Sequence, residues 1–331
     1  AIMRASVSRV TQCAVLACMT GLAAFQAAAQ SGAYPNRPIR WIVPLPPGGG
    51  ADTVARTIAA SLSKSLGQQV LVDNRAGGGT VIGAELAARS TPDGYTWLLG
   101  TATTHAINAS LVKKLPYDPI KDFVPVSLVA ILAQVFVVHP SLPPRSLKEL
   151  IALARKRPGE INFASTGNGS ANQLAVEMLK SYAKIDMVHV PYKGAGPSMT
   201  DLLAGNIQFM STTIPPAVAH FKSGRLIPLA VANAKRSALL PDVPTTAEAG
   251  APGVEASSWN GLLLPAGTPK EIVARLHSEI VTVMKLSEVR ERLLNAGVEP
   301  VVNTPAEFAA YIDAETARYA KVVRESGARV D

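Results

Sequence analysis

Cysteine is almost absent: the 331 residues hold two, Cys13 and Cys18, both near the N-terminus. A chain trimmed beyond them has no disulfide to brace it and no thiol for catalysis or metal binding. Aromatic residues make up only 5% of the chain and charged residues 17%. So little charge excludes a disordered polyelectrolyte, and no basic run is interleaved with aromatics in the manner of a nucleic-acid surface. The five histidines, at 105, 139, 189, 220 and 277, fall at no metal-ligand spacing. The dinucleotide fingerprint GxGxxG fails at each glycine cluster, because Thr53, Ile82 and Asn172 stand where its last glycine belongs. Gly-Lys-Ser/Thr, HExxH, CxxC and GxSxG do not occur. No catalytic residue, metal or cofactor is expected.

Residues 1–29 carry Arg4 and Arg9, no acid, an apolar stretch from Val10 to Phe25, and then Ala27-Ala28-Ala29. That order is a signal peptide cleaved after Ala29, with lipid attachment at Cys18 as the alternative. Export without cysteine suits the bacterial periplasm, in a protein large enough to need no staple. Removing the segment lowers the formal charge from +8 by the two arginines, to +6. The remaining Lys and Arg are scattered singly. They suit a small anionic partner, and no nucleic-acid partner is expected.

Short β-rich runs alternate with helical periods, which implies a parallel-sheet α/β architecture. Strands are expected at 39–43, 70–73, 96–99, 135–138, 161–164, 187–190, 207–210, 227–232 and 261–264. Val54, Ile58 and Leu62 share one helical stripe, and Leu147, Leu150, Ile151 and Ala154 another. Near the C-terminus, helices are expected over 269–285, 288–295 and 305–326, with a short extended piece around Val301. Two extended stretches, 125–134 and 255–260, are candidates for crossings between domains. If both cross, the first domain is discontinuous, and two connecting strands give a hinge suited to closing on a ligand.

Four glycine-rich turns stand out: Pro46 to Thr53, Ala76 to Thr80, Ser165 to Ser170 and Lys193 to Ser198. Three of them run from a strand candidate towards a helix candidate. A helix N-terminus offers unpaired N–H groups and a positive dipole end, and glycine lets an anion approach closely. Each such end contributes about 0.3–2 kcal/mol towards a carboxylate. Taken singly, each turn is equally a plain turn needing positive φ. Asp52 fits a ligand cation or a first-turn dipole partner. His105 fits an anion contact or polar packing, and Trp259 a cleft wall or interior filling.

Nine segments in this order carry a family resemblance: YPNRPIRWIVPLPPGGGADTVAR (34–56), DNRAGGG (73–79), TPDGYTWLLGT (91–101), THAIN (104–108), LPYDPIKDFVPVSLVA (115–130), FASTGNGS (163–170), VPYKGAGPSMTDLLAG (190–205), ALLPDVPTTAEAG (238–250) and SWNGLLLPAGTP (258–269). The chain resembles the extracytoplasmic solute-binding receptors of tripartite tricarboxylate transporters, the Bug or TctC-like family. The resemblance implies a two-lobed α/β periplasmic-binding fold, a Venus flytrap with a mainly parallel sheet in each lobe. Lobe 1 is expected over 30–133 and 257–331, and lobe 2 over 134–256. The implied partners are a small carboxylate and the membrane permease subunits that receive it, with the receptor a monomer. A carboxylate sensor for a signalling system, or a hydrolase using the same cleft, are the alternatives.

In such proteins the loop matching Pro47, Gly48, Gly49, Gly50, Ala51, Asp52 and Thr53 grips one carboxylate. The loop matching Ser165, Thr166, Gly167, Asn168, Gly169 and Ser170 presents hydroxyls and N–H groups. Thr103, Thr104 and His105 line the pocket, with Ala195, Thr212 and Thr213 completing the expected set. Many relatives carry Asp where Thr212 stands here. Asp suits a ligand ammonium, whereas a threonine hydroxyl tolerates a second carboxylate. A di- or tricarboxylate, aromatic ones included, is therefore expected over an amino acid.

Overall fold

β-Branched runs alternating with amphipathic segments become ten strands and ten α-helices among the described residues. The computed structural model describes residues 34–326. The signal segment expected over 1–29, its cysteines included, lies outside the described residues. Residues 38–326 belong to one unit and 34–37 to a separate N-terminal one.

Strand β1 (Ile39–Val43) leads into α1 (Gly50–Leu66), and β2 (Val70–Asn74) into α2 (Val81–Ala88). Strand β3 (Thr96–Thr101) enters a π-helical turn at Ala102–Ile107 and then α3 (Asn108–Leu111). The long β4 (Phe123–Val138) precedes α4 (Leu147–Lys156), β5 (Asn162–Ser165), α5 (Ala171–Ala183), β6 (Val188–Pro191) and α6 (Ala195–Leu203). Then come β7 (Phe209–Thr213), α7 (Ile214–Lys222) and β8 (Ile227–Val231). β9 (Ser257–Pro265), α8 (Lys270–Lys285), α9 (Ser287–Asn295), β10 (Glu299–Pro300) and α10 (Pro305–Ser326) follow.

Helix ends obey local chemistry. Ser146 and Ser170 cap α4 and α5 by accepting from the N–H groups of Glu149 and Gln173. Thr304 and Glu307 form a reciprocal capping box ahead of α10, whose buried stripe is Phe308, Ile312, Tyr319 and Val323. Gly67 ends α1 at φ 66°, the left-handed conformation that glycine adopts without a Cβ penalty.

The strands run β2-β1-β3-β9-β4-β7-β5-β6, with β8 and β10 also paired to β4. β1, β2 and β3 are mutually parallel, as are β5, β6 and β7. β9 is antiparallel to β3 and β4, and β4 is antiparallel to β7 and β8. The sheet is thus mixed: most strands in each half share one direction, and the antiparallel ladders gather on β4 and β9. The expected strand at 135–138 proves to be the far end of a 16-residue strand. Pro125 does not interrupt it because the β4–β9 register shifts there, and a bulge tolerates a missing N–H.

The expected crossing stretch 125–134 lies within β4, and the second, 255–260, is strand from Ser257 onward in β9. Phe123 to Ala133 pairs with β9, whereas Gln134 to Val138 pairs with β7. On one side of the second half, Phe136, Phe163 and Phe209 pack under α4 and α5; on the other, Val135, Val137 and Met210 pack with α6 and α7. In the first half, Trp259, Phe308 and Tyr319 fill the interior beneath α10.

One close approach there is exact in its demand for glycine. A Cβ at Gly261 of β9 would overlap the Phe308 ring. Gly261→Ala should therefore lower stability by about 1–3 kcal/mol, the usual cost of overpacking, read as a fall in the urea midpoint. Phe308→Leu in the same chain should recover part of that loss; a wild-type midpoint for Gly261→Ala would refute this packing.

Candidate functional site

The first glycine turn joins β1 to α1. Asp52 accepts from the Gly48 N–H at 3.0 Å, from Arg56 Nε at 2.9 Å and from Asn74 Nδ2 at 3.0 Å. Burial pushes its carboxyl up, and these bonds together more than offset burial, so it lies below the ordinary carboxylate range. Asp52 is thus an internal brace, not a free acid for a ligand cation. The Thr53 hydroxyl is likewise committed, donating to the Gly49 carbonyl at 3.2 Å. Pro47 and Gly48 are exposed and Gly49 half-buried, while Gly50 and Ala51 are buried. The N–H groups of Gly50 and Ala51, in the first turn, have no acceptor within the helix.

The turns of the two halves meet. A Cβ at Gly50 would lie 2.5 Å from Leu132 Cδ2 and 2.8 Å from Thr213 Oγ1, and one at Gly49 would lie 3.7 Å from the Ala195 Cβ. One at Gly194 would come within 2.5 Å of Pro46 Cγ, and one at Gly79 within 3.6 Å of the Asn168 carbonyl. The first turn thus meets the fourth and the second meets the third, and the Gly194 N–H donates to the Thr166 carbonyl at 3.1 Å, joining the fourth to the third. The second ends at Thr80, a β-branched residue at φ 79°, braced by Asn108 Nδ2 on the Gly79 carbonyl and on Thr80 Oγ1.

In the third turn the hydroxyls are spent internally. Ser165 Oγ donates to the Gly167 carbonyl at 3.0 Å, accepts from the Gly167 N–H at 3.1 Å and lies 2.7 Å from His189 Nε2. Thr166 Oγ1 donates to Asn172 Oδ1 at 2.9 Å, Gln173 Oε1 accepts from the Gly169 N–H at 2.7 Å, and Ser170 caps α5. These side chains shape the turn, with the Ser165 and Thr166 hydroxyls donating within it. Asn168 at its tip is exposed. Among the described residues no three His, Cys, Asp or Glu side chains gather into a metal-holding group. A hollow of about 170 Å³ between α5 and α10, lined by Glu177, Met178, Tyr182, Val254, Val322 and Glu325, shares no residue with the turns.

The family profile described as "Tripartite tricarboxylate transporter family receptor" matches residues 54–328. The chain belongs to this family. BugT of Bordetella pertussis is 41% identical over 320 residues, covering 96% of this chain and 98% of BugT. Rpa4515 of R. palustris, solved with adipate, is 36% identical with a TM-score of 0.87, covering 90% of this chain and all of that one at 100%. MatC from Rhodopseudomonas palustris, with bound malate, is 34% identical with a TM-score of 0.82, covering 88% of this chain and 100% of its own. Members are periplasmic solute-binding proteins with a two-lobed α/β fold, and the chain shares that fold.

The receptor departs from expectation at the 103–105 segment. That stretch is a π-helical turn rather than a loop, closed by a capping box between Thr101 and Thr104. Thr104 and His105 are fully buried. His105 Nδ1 lies 2.7 Å from Thr104 Oγ1, and its ring packs edge-on against Phe123 and beside Trp259. Burial pushes its pKa down to about 3, so the ring is neutral, and it packs within the core with Nε2 buried and unpartnered. Trp259 is interior filling, packed edge-on against Phe308 and Tyr311. Thr103 stays half-buried.

Of the threonine pair, Thr213 shares a sheet face with its cross-strand partner Gln134 and meets Gly50, whereas Thr212 lies on the opposite face, opposite Val135. Sequence reasoning missed Gln134, Asn172 and Asn260, all buried. Asn172 Nδ2 donates to Gln134 Oε1 at 2.9 Å and to the Ser211 carbonyl at 3.1 Å. Gln134 Nε2 and Asn260 Oδ1 are buried without a partner. For Gln134 and Asn260 the signal is present, a lone amide within an apolar strand; Asn172 sits beside Gln173 in the first turn of α5, where polar residues are ordinary.

Proposed function

We propose that the receptor captures a small di- or tricarboxylate, aromatic ones included, between two closing lobes in the periplasm and hands it to the permease subunits of a tripartite carboxylate transporter. The lobes are 30–133 with 257–331, and 134–256; β4 and β9 link them. The observation that carries this reading is the meeting of the α1 N-terminus with Thr213 and Ala195, which sets an anion-accepting helix end from one lobe against the turns of the other. Pro47, Gly48, Gly49, Gly50 and Ala51 supply the grip, Asn168, Ala195 and Thr213 the facing wall, and Thr103 the rim. Adipate and malate in two relatives support the ligand class. Thr213, the residue that meets the α1 N-terminus, brings no negative charge, which favours a second carboxylate over an ammonium.

A thermal-shift and calorimetry panel of mono-, di-, tri- and aromatic carboxylates with the amino acids aspartate and glutamate tests this. An acid at 100 times its dissociation constant should stabilise the protein by about 2.7 kcal/mol. Tighter binding of aspartate or glutamate than of every dicarboxylate would overturn the ligand class.

A further inference from the structure

We propose that Gln134 is a ligand-recognising residue, its amide nitrogen donating to the carboxylate held at the N-terminus of α1. This deepens the receptor reading above and rests on it. Gln134 is a fully buried amide inside the apolar run Leu128 to Val138. Side chains alternate across a strand, so Gln134 shares its face with Leu132, two residues back, and with Thr213, directly opposite on β7. Those two side chains are the ones that meet Gly50. The amide therefore borders the first turn of α1.

Its orientation follows from its neighbours. Asn172 donates to the Ser211 main-chain carbonyl at 3.1 Å, and a carbonyl only accepts, so that Asn172 atom is nitrogen. The same nitrogen meets Gln134 at 2.9 Å, and Thr166 Oγ1 donates to the Asn172 oxygen at 2.9 Å. The Gln134 atom facing Asn172 must then be oxygen, and it also accepts from Ser211 Oγ at 3.2 Å. Two donors fix Oε1, which leaves Nε2 buried with no partner. Proteins seldom leave a buried donor unmatched, because it has given up water and gained nothing. Beside a helix N-terminus, the group that best matches such a donor is an anionic oxygen. A neutral amide, backbone N–H groups and a hydroxyl then bind a carboxylate without any salt bridge. Because Asn172 also takes the Thr166 bond, the third glycine turn helps to aim Gln134.

The test is calorimetry of wild type, Gln134→Leu and Gln134→Glu with malate, succinate and adipate. Gln134→Leu removes the donor; Gln134→Glu keeps the shape and the two acceptor bonds but replaces the donor with a carboxyl oxygen, so it remains informative if the leucine variant folds poorly. Each should bind at least 10-fold more weakly at pH 7.5. Gln134→Glu should in addition take up a proton on binding, because a second carboxylate beside the new one raises its pKa, and its binding enthalpy should vary with the ionisation enthalpy of the buffer. The side chains around position 134, namely Leu132, Asn172, Ser211 and Thr213, do not titrate, and Asp52 and Arg56 on α1 pair with each other. A purely structural role would not produce that uptake. Wild-type binding with unchanged affinity in both variants would overturn this inference alone, whereas a wild type that binds none of the acids would overturn the receptor reading with it.

Discussion

Gly50→Val should abolish capture, lowering affinity for any carboxylate the wild type binds by at least 100-fold, while the ligand-free protein keeps its fold. The Cβ position at Gly50 lies 2.5 Å from Leu132 Cδ2 and 2.8 Å from Thr213 Oγ1. Leu132 ends in a flexible methyl and can yield. Thr213 stands at the end of β7, in the second of the proposed lobes, so the added side chain should act as a wedge against the proposed closure. A 100-fold loss corresponds to about 2.8 kcal/mol, within the range of an overpacked contact. It also removes the close backbone approach that an anion at a helix N-terminus requires. Calorimetry and solution scattering read it together: the variant should show no heat with the dicarboxylate and no contraction on its addition. Wild-type affinity in Gly50→Val would sink both the wedge and the assignment of this helix end to the ligand.

The second large effect is acid destabilisation centred on His105. Unfolded, the ring titrates near 6.5; folded, burial holds it at about 3. Between these values the unfolded chain binds a proton that the folded protein refuses, so stability is fully present above pH 6.5 and is lost as pH falls towards 3. At about 1.4 kcal/mol per pH unit, the loss from this ring alone is roughly 3 kcal/mol at pH 4 relative to pH 7. His189, lowered to about 4 by burial and by Lys180, adds in the same direction but is only half-buried and better screened. Urea midpoints at pH 7 and pH 4 measure the effect. His105→Gln should start lower, having lost ring contacts with Phe123 and Trp259, yet fall less with acid. Equal falls in wild type and variant would show that some other group carries the acid sensitivity.

These effects differ in how far they are legible from sequence. The strand-to-helix turns at Pro46 to Thr53 and Ser165 to Ser170 follow from glycine and hydrophobic period, which are local. So does α10, bounded by Thr304 and Pro305. The crossing strands are visible as extended stretches without caps. What sequence does not convey is the destination of each hydroxyl. Thr166 looks ligand-facing until Asn172 is placed beside it, and Ser165 until His189, 24 residues on, closes over it. Gln134 owes its orientation to Asn172 and to Ser211, 77 residues away, a separation no period encodes. His105 was ambiguous because buried and exposed histidines look alike in a string, and only Phe123 and Trp259 decide it.

β4 carries one further consequence. A single 16-residue strand laddered to β9 at one end and to β7 and β8 at the other is not a swivel but a leaf spring. The closure proposed above would have to bend or twist this hydrogen-bonded ribbon, so its own twist, rather than the slack of a linker, would set how far the lobes stand apart. On the closure proposed above, such a ribbon would recoil elastically, and part of the free energy gained on binding would be held in it until release.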